Sequence, residues 1–143
     1  MTHMITYPLF ALSVLSLALN NAQAACSFTP TAGNDSFVCD SGSAPSLVDL
    51  QGDNSLTLPA SSTASITGPV TFGAGADRIT VHGGLISGAV SQGNGIDDFV
   101  MTGGQIQSLA QGDGRDTFLL TGGTIVGAFE DGGVAKMTGG SIG

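Results

Sequence analysis

The chain has 143 residues, enough for one domain with or without a short terminal module, and carries a formal net charge of −8. Duplex binding needs clustered cations that displace phosphate counterions, and the three Lys and Arg residues are scattered, so nucleic acid is excluded as a partner. The 23 glycines, against a usual share of about 7%, favour short strands and tight turns over a helical bundle.

Residues 1–24 have the pattern of a secretory signal peptide. Residues 8–19 are apolar apart from two serines, and this run is too short to cross a bilayer, which takes about 20 apolar residues. The small-residue pattern Ala22-Gln23-Ala24 follows and suits a cleavage site. We therefore predict that the chain is exported and that cleavage occurs after Ala24.

Residues 25–69 are predicted to form an N-terminal cap that contains a disulfide between Cys26 and Cys39. In an exported chain, an even number of cysteines indicates a disulfide, and closing this short loop would contribute roughly 3 kcal/mol in the loop-entropy account. Phe28, Phe37 and Val38 are expected to pack beside it, and residues 41–46 to form a loop. Thiol catalysis and cysteine–histidine metal sites are disfavoured, because the one histidine after residue 24 lies far along the chain.

The second half of the predicted cap resembles repeats that lack the glycine-rich turn found later. The apolar residues that suggest these degenerate coils are Leu56, Leu58, Ile66, Val70 and Phe72. Terminal repeats of a solenoid are often atypical, because they must protect the raw edges of its sheets.

Residues 70–143 contain a repeat that combines a Gly-x-Gly-x-Asp turn with a later Gly-Gly pair. The Gly-Gly pairs begin at Gly83, Gly103, Gly122 and Gly139, so successive copies are 20, 19 and 17 residues apart. Alternating residues such as Ile79 and Val81 predict short strands between the turns. The pattern predicts an all-β fold, a parallel β-solenoid (β-helix) of about 17–20 residues per coil.

Stacking the copies places equivalent apolar residues in columns that form the predicted core. The first column is Ile79, Phe99 and Phe118; the second is Val81, Met101, Leu120 and Met137; the third is Ile86, Ile106, Ile125 and Ile142; Ala89, Leu109 and Ala128 complete the inner wall. We expect these positions to be core rather than a ligand groove.

Two polar columns are candidate functional features. Thr102, Thr121 and Thr138 form a surface ladder, which either lies in solvent on a paired face or recognises a flat lattice or glycan.

One acidic residue per coil forms the second polar column, which comprises Asp77, Asp97 and Asp116. Stacked like charges destabilise a sheet, so something must offset their repulsion. Either each carboxylate caps backbone N–H groups of its own turn, or calcium lies between coils with carboxylates and carbonyls as ligands. Gly-x-Gly-x-Asp before a strand resembles the nonapeptide repeat of RTX proteins, which bind calcium. Calcium is therefore the one cofactor that the sequence suggests.

The final residues stop in the middle of a coil, just after Ile142. The expectation is that the sequence is the N-terminal part of a longer polypeptide, with an edge covered by a partner as the alternative.

Together, the signal peptide, the Cys26–Cys39 segment and the glycine-rich coils resemble the N-terminal passenger region of bacterial autotransporters, the type V secretion proteins. The run Ile125–Gly132, followed by Met137-Thr138-Gly139-Gly140, adds to the resemblance. It implies export machinery as a partner, a C-terminal outer-membrane barrel that is absent from this sequence, and a location at the surface of a Gram-negative cell or in the medium. It also implies contact with a host or neighbouring cell.

Three functions then compete. The first is a non-catalytic stalk or adhesin-like passenger, the second is a calcium-binding secreted β-roll, and the third is a polysaccharide-acting β-helix enzyme. Glycoside hydrolysis needs two acids flanking the bond in a groove, and coils of 17–20 residues leave no insertion to build one. We therefore expect no enzyme activity and no catalytic residues.

Overall fold

The computed structural model describes residues 25–143, and in that part of the chain every regular element is a β-strand. The predicted signal peptide, residues 1–24, lies outside the described residues. The strands in chain order are β1 (Ser36–Val38), β2 (Ser43–Ala44), β3 (Leu47–Asp49), β4 (Ser55–Leu58), β5 (Ser65–Ile66), β6 (Val70–Phe72), β7 (Arg78–Val81), β8 (Leu85–Ser91), β9 (Asp98–Met101), β10 (Gln105–Ala110), β11 (Thr117–Leu120), β12 (Thr124–Ile125), β13 (Phe129–Glu130), β14 (Val134–Met137) and β15 (Ser141–Ile142).

The strands stack as a parallel β-solenoid of about five turns, which confirms the predicted fold class. One wall is a six-stranded sheet in the order β1-β4-β7-β9-β11-β14, with one strand from each coil. The other is a nine-stranded sheet in which the long strands β8 and β10 span the whole width. Three of the other coils divide that width between two short strands, and the last coil contributes β15 alone. Every strand pairing is parallel and joins one coil to the next.

Coil length varies more than the repeat predicted. Hydrogen bonds between equivalent positions span 19, 23, 20, 19 and 17 residues from the first coil to the last. The 23-residue coil exceeds the predicted maximum of 20, because residues 59–64 connect β4 to β5. In the next coil residues 82–84 make the equivalent connection.

The core consists of the predicted columns, which extend down into residues 25–69. Ile79, Phe99 and Phe118 align in register and are buried, and Phe37 and Leu56 continue their column through β1 and β4. Leu58 extends the column of Val81, and Ile66 and Ala44 extend the column of Ile86. The solenoid therefore begins at β1, inside the predicted cap and before the degenerate coils that were predicted from Leu56 onward.

The predicted fourth column is wrong at two of its three positions. Leu109 aligns with Val90 and Phe129, which face inward, whereas Ala89 and Ala128 are exposed. The register shifts by one residue between Ile106 and Ser108, because the coil that contains Leu109 has one residue fewer before this column. A shift of one residue moves a side chain to the opposite face of a strand.

The last coil keeps the register but not the predicted burial. Met137 aligns with Leu120 yet is 49% exposed, and Ile142 is only partly buried. Among residues 25–143, β14 and β15 are the outermost strands of their sheets, and no strand of that part of the chain covers these side chains.

The first coil contains the predicted disulfide between Cys26 and Cys39, both of which are buried. Phe28 packs edge-to-face against Phe37, with ring centroids 5.6 Å apart. Val38 instead points outward and is 43% exposed, because it alternates with the buried Phe37 along β1. The loop predicted at residues 41–46 is interrupted by β2, which pairs with β5.

Loss of this disulfide is expected to destabilise the solenoid. The double variant Cys26→Ala/Cys39→Ala should lower the free energy of unfolding by about 3 kcal/mol, because the unfolded chain regains the freedom of the loop. Urea unfolding followed by circular dichroism measures the loss, and the reduced wild-type protein serves as the control. Equal midpoints for the oxidised wild type and the double variant would contradict the prediction.

Candidate functional site

The most distinctive polar feature is a column of buried side chains at one corner of the solenoid. Asp77, Asp97 and Asp116 each end a glycine-rich turn and directly precede β7, β9 and β11. Each is only 1% exposed. Since the strands are in register, the three aspartates occupy equivalent positions in successive coils.

These carboxylates bind the backbone of the neighbouring coil. The N–H of Asp77 donates to Oδ1 of Asp97 at 2.9 Å, and the N–H of Asp97 donates to Oδ1 of Asp116 at 2.8 Å. The prediction of backbone capping is therefore right about the acceptor but wrong about the donor, which belongs to the preceding coil rather than to the same turn. The bonds run between coils because the carboxylates point along the solenoid axis.

An asparagine that the repeat pattern did not predict belongs to the same column. The N–H of Asn54 donates to Oδ1 of Asp77 at 2.7 Å, and Oδ1 of Asn54 accepts the N–H of Asp35 at 3.0 Å. We call Asn54, Asp77, Asp97 and Asp116 the Asx ladder. Its sequence signal was an Asn or Asp directly before the strand in each of four consecutive coils.

A column of glycines beside the ladder lets the coils approach one another. Gly75, Gly95 and Gly114 form parallel bridges between successive coils. A Cβ atom on Gly95 would lie 1.7 Å from the carbonyl oxygen of Gly75, and one on Gly114 would lie 1.6 Å from that of Gly95. No side chain fits at these distances, so the glycines of the repeat are required by close packing of the backbones.

The electrostatics of the ladder disfavour negative charge. The second carboxylate oxygen, Oδ2, of Asp77, Asp97 and Asp116 is buried without a hydrogen-bond partner. Burial raises the pKa of Asp97 to about 7, and the neighbouring charges of Asp116 and Asp77 add to this effect. Burial likewise raises the pKa of Asp77, with smaller contributions from the charges of Asp53 and Asp49.

Two carboxyl groups of the first coil shift in opposite directions. Burial raises the pKa of Asp49, whereas a backbone hydrogen bond from Thr31 lowers that of Asp35. This N–H donates to Oδ2 of Asp35 at 2.6 Å. The first coil therefore also carries carboxyl groups with shifted pKa values, although they lie outside the Asx ladder.

Two buried glutamines support the same corner and were also missed. Nε2 of Gln92 donates to the carbonyl oxygens of Asp77 and Asp98, at 3.2 and 3.1 Å. Nε2 of Gln111 donates to Oε1 of Gln92 at 3.1 Å and to the carbonyl oxygen of Thr117 at 3.0 Å. Their signal was a Gln directly before the Gly-x-Gly turn in two consecutive coils.

The predicted threonine ladder lies on the surface. Thr102, Thr121 and Thr138 are exposed and follow the aligned strand ends of three successive coils. In the coil before them His82 takes the equivalent place, and its Nδ1 shares a hydrogen bond with Oγ1 of Thr102. The three threonines therefore form the predicted aligned row on the surface. Recognition of a lattice or glycan by this row stays a prediction.

The outer face of the six-stranded sheet carries the one ion pair found within residues 25–143. Nε of Arg78 lies 3.4 Å from Oδ2 of Asp98, and both side chains are well exposed. Asp98 also accepts a hydrogen bond from the hydroxyl of Thr117 at 2.6 Å. Exposed pairs of this kind contribute about 0–1 kcal/mol.

The described part of the chain was also predicted to bind calcium at one corner. In that part, no three or more His, Cys, Asp or Glu side chains are grouped so as to hold a metal ion, and calcium at Asp77, Asp97 and Asp116 stays a prediction. A cavity of about 440 Å³ lies at the β1 end and is lined by Ala25, Ser27, Thr29 and residues 35–38. No helix in residues 25–143 is long and apolar enough to cross a membrane.

Comparison of the chain with protein-family models, with curated proteins and with solved structures found no match.

Proposed function

We propose that the chain is a non-catalytic, exported surface solenoid, equivalent to the stalk or adhesin-like passenger of an autotransporter. The observation that carries the proposal is the combination of a parallel β-solenoid with a buried disulfide in its first coil. Disulfides of this kind form and persist in oxidising compartments outside the cytoplasm. Export is also what the apolar run of residues 8–19 and the small residues after it favour.

The arrangement of the acids supports a non-catalytic role. Hydrolysis of a glycosidic bond needs two carboxyl groups that face each other across a groove. Asp77, Asp97 and Asp116 are buried, and Oδ1 of each accepts a backbone N–H from the preceding coil. These side chains act between coils, where a polysaccharide has no access to them.

The threonine ladder supports a role in surface recognition, because its side chains are exposed. Its residues repeat at the strand spacing of a sheet, about 4.8 Å, on a side of the solenoid that is exposed to solvent. A rigid surface with one hydroxyl per coil suits contact with a repetitive partner such as a cell-surface glycan. In the proposed function this ladder, rather than a pocket, is the recognition surface.

Export is tested by producing the full chain in a Gram-negative host and analysing the periplasmic fraction. We expect N-terminal sequencing to begin at Ala25 and mass spectrometry to show Cys26 joined to Cys39. A matched variant with Leu12→Arg and Leu15→Arg in the apolar run should stay in the cytoplasm with free thiols. Wild-type protein that retains residues 1–24 and remains reduced in the cytoplasm would overturn the proposal.

The passenger assignment is tested by the reading frame beyond Gly143. We expect it to continue through further coils into a membrane barrel, and a protease added to intact cells should then remove the solenoid. The polysaccharide-acting alternative predicts instead that the purified protein releases reducing ends or unsaturated sugars from acidic or neutral polysaccharides. The calcium-binding alternative predicts a gain of strand signal when calcium is added.

A further inference from the structure

The Asx ladder places one amide and three acids at the same structural position. Asn54 is 2% exposed and uses both halves of its amide. Its Oδ1 accepts the N–H of Asp35 at 3.0 Å, and its Nδ2 donates to the carbonyl oxygen of Gln51 at 2.9 Å. The position in the second coil is therefore satisfied by a side chain with one acceptor and one donor.

The three acids satisfy only half of that pattern. Oδ1 of Asp77, Asp97 and Asp116 accepts a backbone N–H, as Oδ1 of Asn54 does, but Oδ2 of each is buried without a partner. An ionised carboxylate has no donor, whereas a protonated carboxyl group offers one O–H donor beside its acceptors. A neutral aspartic acid thus offers both an acceptor and a donor, as the native asparagine does.

No cation compensates the ladder within the described residues. Asp97 is flanked by Asp77 in the preceding coil, by Asp116 in the following coil and by Asp98, the next residue in the chain. Arg78 turns outward to Asp98, and Arg115, beside Asp116, is exposed. Asp49 and Asp53 add negative charge near Asp77, while the adjoining Gln92 and Gln111 are neutral. Buried charges without a partner are costly, and neighbouring like charges increase the cost.

We propose that the Asx ladder is a proton-binding site, in which Asp97, between Asp77 and Asp116, folds as a neutral acid, so that stacking of the coils takes up a proton and acidification stabilises the solenoid. The role differs from the proposed surface function and does not depend on it. It makes the fold itself responsive to the acidity of the compartment.

The sign of the effect follows from the two states of Asp97. Burial raises the pKa of Asp97 from 3.8 to about 7 in the folded chain, and unfolding returns it to its ordinary value. Between about pH 4 and pH 7 the folded state therefore holds a proton that the unfolded state has lost. The free energy of unfolding must fall as pH rises through this window.

The test is urea unfolding of the full chain at pH 5 and pH 8. We expect the unfolding equilibrium constant of the wild type to be on the order of a hundredfold larger at pH 8, from the linkage of one proton. Asp97→Asn should remove most of this difference and be at least as stable as the wild type at pH 8, because the amide keeps the acceptor and supplies a donor. Asp113→Asn, in an exposed turn, is the matched control and should retain the full dependence.

Two results would overturn the proposal. One is the same pH dependence in the wild type and in Asp97→Asn. The other is stabilisation by millimolar calcium chloride at pH 8 with none from acid, which would assign the carboxylates to a cation. If Asp97→Asn does not fold, carbon NMR of the wild-type side-chain carboxyl groups decides the question. An aspartate that titrates near neutral pH supports the proposal, and titration of every aspartate below about pH 5 refutes it.

Discussion

Substitution of alanine for Gly95 is expected to disrupt the solenoid, with a loss of at least about 3 kcal/mol in the free energy of unfolding. The new Cβ would lie 1.7 Å from the carbonyl oxygen of Gly75 in the preceding coil. That oxygen belongs to the backbone, so no side-chain rotation relieves the collision. Gly95 also has a φ of 157°, which adds backbone strain of about 1–3 kcal/mol to the 1–3 kcal/mol typical of overpacking.

The matched control for this prediction is Gly33→Ala. A Cβ on Gly33 would meet only Oγ1 of Thr31, at an ordinary contact distance of 3.8 Å. We expect a change in unfolding free energy of less than about 0.5 kcal/mol there, as at most surface sites. Thermal and urea unfolding measure both variants, and a Gly95→Ala protein as stable as Gly33→Ala would refute the close approach of the two coils.

Truncation of Phe99 to alanine is expected to cost about 3–5 kcal/mol, the usual range for a buried aromatic ring. Phe99 is fully buried between Ile79 and Phe118, and its ring stacks on that of Phe118 with centroids 5.6 Å apart and an interplanar angle of 8°. The backbone of β9 is held on both sides by paired strands. The cavity therefore cannot close by collapse of the wall.

Ile96→Ala provides the comparison for the Phe99 variant. Ile96 lies three residues earlier and is 68% exposed, so its truncation should change stability by less than about 0.5 kcal/mol. Urea midpoints at one pH measure both proteins. Equal midpoints for the two variants would mean that the aromatic column does not form the core.

The repeat pattern predicted the fold because its two signals agree. Alternation places Ile79 and Val81 on one face of a strand, and recurrence of the same pattern after 20 residues stacks that face on Phe99 and Met101. The inner wall after Ile106 could not be predicted in the same way. The copies were aligned on their Gly-Gly pairs, and the one-residue shift that brings Val90 and Phe129 inward occurs after those pairs.

The ladder was predicted in part for a related reason. Spacing alone stacks Asp77, Asp97 and Asp116, but the direction of each carboxylate depends on the backbone of the turn, which spacing does not specify. The N–H groups that donate to these side chains therefore belong to the preceding coil and not, as predicted, to the same turn. The place of Asn54 in the ladder was not predicted, because its turn lacks the Gly-x-Gly pattern that defines the repeats.

The longer connection from β4 to β5 has a consequence for engineering. Residues 59–64 join these strands, yet β4 and β5 keep the same register with β7 and β8 as the other coils have with their neighbours. The strands thus fix the perimeter of the coil, while this corner accommodates additional chain as an outward bulge. A foreign peptide grafted here would be presented on a rigid support, whereas the tight Gly-Gly corners leave no room for a guest sequence.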